Sequence, residues 1–307
     1  MDRREYLYAA SATLTAAVAG CSDSNDESTP APDESTTEPD GTPTETTEPG
    51  RTTTEQETEP SLPSWSAWIP ADVFPDEQAE ITALDVQTAR EQYPADAYAE
   101  FGFSDIATAY GVSESDFEDF IILSLGVEDE ILAITGSYDP ESVVEHLGVA
   151  DDRLQTVGDY KIVDSDLAIG QSVLIIGSSY EMLLDARAGD TPTLGETDDT
   201  WRDLLGAISD GTLVSVQDGN GLADDGQSPL DADVECSGLE LNSAGGQRAL
   251  IRAHLMFDSE DRAQEVLDNN RQDIIDSATD ETDGSLEQVE RDGARIVVTI
   301  ETETFNF

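Results

Sequence analysis

Apolar residues fall in short runs separated by turn residues, and one order of runs occurs twice. Phe120-Ile121-Ile122-Leu123, Gly126, Ile131-Leu132-Ala133-Ile134, Tyr138-Asp139, Val144 and Leu147 form the first set. An offset of 119 gives Leu239-Glu240-Leu241-Asn242, Gly245, Leu250-Ile251-Arg252-Ala253, Phe257-Asp258, Ala263 and Val266. The register holds without a gap over 28 residues, which predicts an internal repeat. In each copy two β-rich runs flank a Gly-containing turn, so each predicts a hairpin followed by a helix. Asp139 should cap the first helix, with Pro140 in its first turn and Gly148 at its stop. Tyr138 and Val143 are spaced as a hydrophobic staple, and Val143, Val144 and Leu147 form the apolar face. Asp258 or Ser259 should cap the second helix, whose face runs through Ala263, Val266, Leu267, Asn270, Ile274 and Ile275.

Strands then return. They are expected at Tyr160 to Val163, Leu167 to Ile169 and Val173 to Ile176, and in the second copy at Leu286 to Val289 and Arg295 to Ile300. A lone strand precedes each copy, at Ile81 to Val86 and Thr212 to Val216. Leu183, Leu184, Trp201, Leu204 and Leu205 belong to helices joining the copies, and Asp218 to Glu235 is a Gly/Asp-rich loop. Strands that arrive in hairpins point to antiparallel pairing. The predicted class is α+β: two similar repeats of β-hairpin, helix and β-meander, forming antiparallel sheets with helices on one face. The first repeat with its connecting helices occupies residues 64–206, the second residues 207–307.

The N-terminal 63 residues have a different pattern. Leu7 to Ala19 is uncharged, and at 13 residues it is shorter than the roughly 20 needed to span a bilayer. Arg3 and Arg4 stand before it, and Val18-Ala19-Gly20-Cys21 closes it. This order predicts a signal peptide over residues 1–20 with a lipobox, Cys21 being the thiol that takes a lipid. Residues 22–63 hold seven prolines among Thr, Ser, Glu and Asp, with Leu62 the only large apolar residue. Such a segment cannot form a core and reads as a disordered acidic stalk.

Charge then narrows the setting. The 68 acids and 14 bases give a net charge of −54. Residues 1–20 are neutral and residues 21–63 carry −11, which leaves −43 on residues 64–307. At about 1 M salt the Debye length falls to about 3 Å, and repulsion on that scale is screened. Acids spread along the whole chain read as a solvated surface, and they argue against nucleic acid as a partner. With Cys21 lipidated only Cys236 remains, so no disulfide closes within one chain.

Catalytic motifs are sparse. No nucleotide-binding glycine loop and no nucleophile elbow occur, and the sole lysine, Lys161, follows no Gly-rich loop. His146 falls on the first helix and His254 in a strand, without metal-ligand spacing; both read as structural. Cys236 reads as a buried strand residue rather than a nucleophile. Asp218 to Asp225 resembles a calcium loop only in part, since Leu222, Ala223 and Pro229 stand where oxygen ligands or glycine belong. Trp65 and Trp68 read as core rather than as a carbohydrate platform. No catalytic residue, cofactor or metal is therefore assigned.

The twin arginines, the Gly20-Cys21 lipobox, the Thr/Glu/Pro stalk and the acid excess with one lysine together resemble haloarchaeal twin-arginine-exported surface lipoproteins. The run Ala133 to Glu141 looks like a motif of that type, and the repeat is similar to bacterial surface proteins built from hairpin, helix and meander. The resemblance implies a protein held to the outside of the cell membrane through a lipid on Cys21. It brings no catalytic residues. The expected function is a non-catalytic binding or interaction module; the alternative is a transporter's solute-binding component or an extracytoplasmic hydrolase. A pocket between the copies, lined by converging polar groups, would favour the alternative.

Overall fold

A computed structural model describes residues 61–73, 79–125, 129–208, 211–219, 234–245, 248–282 and 284–302. The signal peptide, Cys21 and the stalk up to residue 60 lie outside the described residues, as does most of the candidate calcium loop. The strands are β1 (Ala79–Asp85), β2 (Phe117–Leu125), β3 (Asp129–Gly136), β4 (Leu154–Val157), β5 (Tyr160–Val163) and β6 (Leu167–Ile169). They continue as β7 (Val173–Ile176), β8 (Leu213–Asp218), β9 (Cys236–Gly245), β10 (Arg248–Met256), β11 (Ser285–Asp292) and β12 (Arg295–Thr302). All twelve form one antiparallel sheet in the order β11-β12-β10-β9-β8-β1-β2-β3-β7-β6-β5-β4. The two sheets expected from the repeat are thus joined into one.

The junction is a pseudo-two-fold axis. Ile121 pairs with Ala133, and the residues 119 positions on, Glu240 and Arg252, pair in the same way. Thr82 pairs with Ile122 as Leu213 pairs with Leu241, which makes Ala83 the counterpart of Val214. Those two residues are paired with each other. Equivalent residues paired across an antiparallel ladder lie on a two-fold, here perpendicular to the sheet. The lone strands that precede each copy are therefore its seam.

Helices cover the sheet unequally. On the front face, α1 (Val86–Gln92), α2 (Ala95–Glu100), α3 (Phe103–Tyr110) and α4 (Pro140–Leu147) sit over the first copy. Phe103, Ile106 and Val143 pack there on Phe120, Ile122 and Ile134. The second copy's front face is covered by α8 (Glu260–Thr282), through Ala263, Val266, Ile274 and Ala278 on Leu255, Ile296 and Val298. The helix of each repeat, α4 and α8, therefore lies on the same face. On the back face, α5 (Tyr180–Ala188), α6 (Leu194–Thr197) and α7 (Asp199–Ala207) join a 3-10 turn at Ser64–Trp68. Leu183, Leu204, Trp65 and Trp68 pack there on Ile121, Leu123, Ile131 and Ala133.

Local expectations compare closely with the elements found. Asp139 caps α4, Pro140 opens it and Gly148 ends it in the left-handed region at φ 61°. Ser259 rather than Asp258 caps α8, its Oγ accepting from Arg262 N at 3.3 Å. Val86 belongs to α1 and not to β1, because Asp85 caps the helix by accepting from Thr88 N at 2.8 Å. The chain pattern did not predict α1 to α3 or β4. Those helices are seven, six and eight residues long, too short to establish a period.

Candidate functional site

Strand pairing lines up one row of side chains across the back of the sheet. From the first copy come Ile162, Ala168, Ile175, Ala133, Ile121 and Ala83, and from the second Val214, Glu240, Arg252, Thr299 and Gln288. The apolar half lies beneath α5 to α7 and the 3-10 turn. Beyond Val214 the row turns polar. Period-two alternation is the cause: Leu239 and Leu241 face the front, so Glu240 must face the back.

Glu240 is 2% exposed although it is a carboxylate. Its Oε1 accepts from Arg252 Nη1 at 2.5 Å. Gly211 lies against it, and a Cβ on that glycine would meet Glu240 Cβ at 2.9 Å. In the adjacent row Val216, Gly238, His254, Val297 and Glu290 follow one another. His254 is 4% exposed, and Glu240 Oε2 is 3.8 Å from its Nε2. That separation is beyond a hydrogen bond. Neither His254 ring nitrogen has a hydrogen-bond partner, and Arg295 Nε beside it is also buried and unpartnered. Burial, then the guanidiniums of Arg295 and Arg252, lower the imidazole to about 3. His254 is therefore neutral at ordinary pH, inside a cluster that also holds two arginines and a buried carboxylate.

Arg252 and Glu240 break the apolar match between the copies, standing opposite Ala133 and Ile121 at the same offset. That mismatch is readable in the sequence. Its burial is not, because a lone charge in a strand ordinarily marks a solvated position.

The remaining sequence candidates are dispersed. Cys236 is buried at the start of β9, between Asp218 and Met256. Burial, then Asp198, Glu235 and Asp218, push its thiol up, so it stays protonated and un-nucleophilic. His146 is exposed on α4, its Nε2 3.1 Å from Thr108 O, and it is not brought near His254. Trp65 and Trp68 are core residues, and Arg187 lies 5.3 Å from the Trp68 ring centroid. Lys161 pairs with Glu141 at 2.9 Å. At the two-fold the front face carries polar groups from both copies, and Ser215 Oγ donates to Glu80 Oε1 at 2.7 Å. Among the described residues no three His, Cys, Asp or Glu side chains gather as metal ligands. Among them, too, no helix is long and apolar enough to cross a membrane. No protein family, curated protein or solved structure matches the chain.

Proposed function

We propose that the chain is a lipid-anchored protein of the outer cell surface whose folded part is a non-catalytic binding or interaction module. The order of Arg3-Arg4, the uncharged Leu7 to Ala19, Gly20-Cys21 and the acidic Pro/Thr-rich stalk carries this reading, since each part has its use only with the others. In it, Arg3 and Arg4 address the chain for export, Cys21 carries the lipid, and residues 22–63 hold the folded part off the membrane. The acidic surface suits a medium of molar salt, where −43 on residues 64–307 is screened. The seam between the copies supports a module rather than a two-lobed binder, because β1 and β8 are hydrogen-bonded neighbours in one sheet. At the back-face cluster, the ionised groups are already paired and the imidazole is buried, an arrangement that holds charge in place rather than turning over a substrate.

The test is the anchor. Cys21→Ser is expected to abolish incorporation of labelled lipid and to shift the exported protein into the medium, and Arg3→Lys with Arg4→Lys to leave precursor inside. A processed Cys21→Ser protein that still sediments with membranes in high salt would refute the lipid anchor.

A further inference from the structure

The polar cluster at the back of the second copy is not needed to build this fold. At the equivalent positions the first copy holds Ile121 for Glu240 and Ala133 for Arg252 on the same hairpin register, and Thr135 for His254 beside an irregularity between Phe117 and Phe120. Something other than topology keeps a buried carboxylate and a buried imidazole there. We propose that Glu240, Arg252, His254 and Arg295 form an acid-sensitive latch, which holds β10 and β12 in place and releases them when His254 takes up a proton.

The geometry supplies the mechanism. His254 sits on β10 between Gly238 of β9 and Val297 of β12, so it joins three strands. From β9 it faces Glu240, already engaged by Arg252, at 3.8 Å. Arg252 stands two residues away on its own strand, Arg295 comes from β12 paired with Asp292 of β11, and Glu290 of β11 ends its row. Leu204 of α7 and Ile208, which follows it, cover Gly238 beside it and add no charge. A proton on this imidazole meets two neighbouring guanidiniums, and its nearest acceptor, Glu240 Oε2 at 3.8 Å, lies outside hydrogen-bond reach on a carboxylate already bonded to Arg252. Opening the strands to water is the way to accommodate it.

The sign follows from the two states. In an opened strand the imidazole titrates near 6.5; in the closed state it resists protonation until about 3. Between those values the open state binds more protons, so opening becomes more favourable as pH falls, by about tenfold per pH unit. The first copy responds in the opposite sense. Asp119, the counterpart of Gly238, is partly buried and accepts from Thr135 Oγ1 at 3.2 Å. Burial raises its carboxyl, so acid neutralises Asp119 and relieves that site instead of straining it.

Amide hydrogen exchange of the full chain, in molar salt held constant, separates the two copies within one molecule. After correction for intrinsic exchange, opening at β10 and β12 is expected to rise about 25-fold from pH 7 to pH 5. Opening at β2 and β3 should not rise, and His254→Thr should remove the pH dependence from β10 and β12. Parallel pH slopes in the two copies, or an undiminished slope in the variant, would overturn the latch. Should the variant not fold, the wild-type His254 ring resonances decide: a neutral ring at pH 5 supports the proposal, and a protonated one at pH 6 refutes it.

Discussion

The two copies solve one problem, covering a sheet, in different ways. Their hairpins share a register, and α4 and α8 lie on the same front face. Behind the first copy, Ile121, Ala133 and Ile175 are apolar because α5 to α7 and the 3-10 turn shut water out. Behind the second, Arg252, Thr299 and Gln288 follow Glu240 in the same row, and Gln288 and the adjacent Glu290 are exposed. An antiparallel sheet tolerates water on one face, so a copy without back helices accommodates the exposed Gln288 and Glu290 there, which leaves buried Glu240 and His254 unexplained. Glu240 and His254 lie at the border, where α7 ends its cover over β9 and β10. What distinguishes the back faces of the two copies is therefore the cover over the first, supplied by α5 to α7 and the 3-10 turn.

The largest test asks whether the copies are separable at all. Dialysis from molar to about 0.05 M salt should unfold both in one transition, because −43 loses its screening and β1–β8 binds the copies into one sheet. Circular dichroism with two separate transitions, or none, would break that expectation.

Charge tolerance sharpens the comparison next. Ile121→Glu places in the first copy the carboxylate the second copy carries, but under three helices and without an arginine opposite. A cost above about 4 kcal/mol is expected in denaturant unfolding, since an unpaired buried charge has no relief there. A cost below 1 kcal/mol would show that the back helices do not exclude water.

Removing one partner in the second copy should cost less. Arg252→Ala takes the guanidinium away from buried Glu240, but Arg252 is 43% exposed, so water can replace part of the pair. About 2–4 kcal/mol is expected, and Glu240→Ile with Arg252→Ala, the residues of the first copy, should recover most of it. If the double variant is no more stable than Arg252→Ala, the cluster is not exchangeable between copies.

Asp119→Asn is the smallest change. Its raised carboxyl destabilises the ionised native form at neutral pH, and that deficit fades as pH falls toward the folded value. The amide removes the charge while keeping an acceptor for Thr135 and Ser64. Melting temperature at pH 7 should stay level or rise slightly, with a flatter acid profile; a clear fall would show that ionised Asp119 stabilises the 3-10 turn.

Much of the fold was legible because its signals are local. Asp139-Pro140 and Gly148 bound α4 through capping chemistry that any chain with those residues would use. Val173 to Ile176 reads as a strand from its β-branched run alone, and β7 has those bounds. The helices α1 to α3 were not legible, because Phe101, Phe103 and Ile106 owe their burial to Phe120 and Ile134, more than ten residues away in sequence. The candidate cluster was half legible: the mismatch of Glu240 with Ile121 is in the sequence, but its burial beside His254 is a tertiary fact.

The sequence by itself determined the repeat, the hairpin registers, the helix caps and the acidic balance, all of which depend on neighbours within one or two turns or on a simple count. Only the tertiary structure decided that β1 and β8 pair on a pseudo-two-fold, that one sheet results, and which faces water reaches. Pairing between strands 130 residues apart depends on what each leaves exposed after its own hairpin has formed. No local pattern records that. The fate of Glu240 and His254 has the same origin: a charged side chain becomes a buried one when a distant helix, here α7, comes to rest above it.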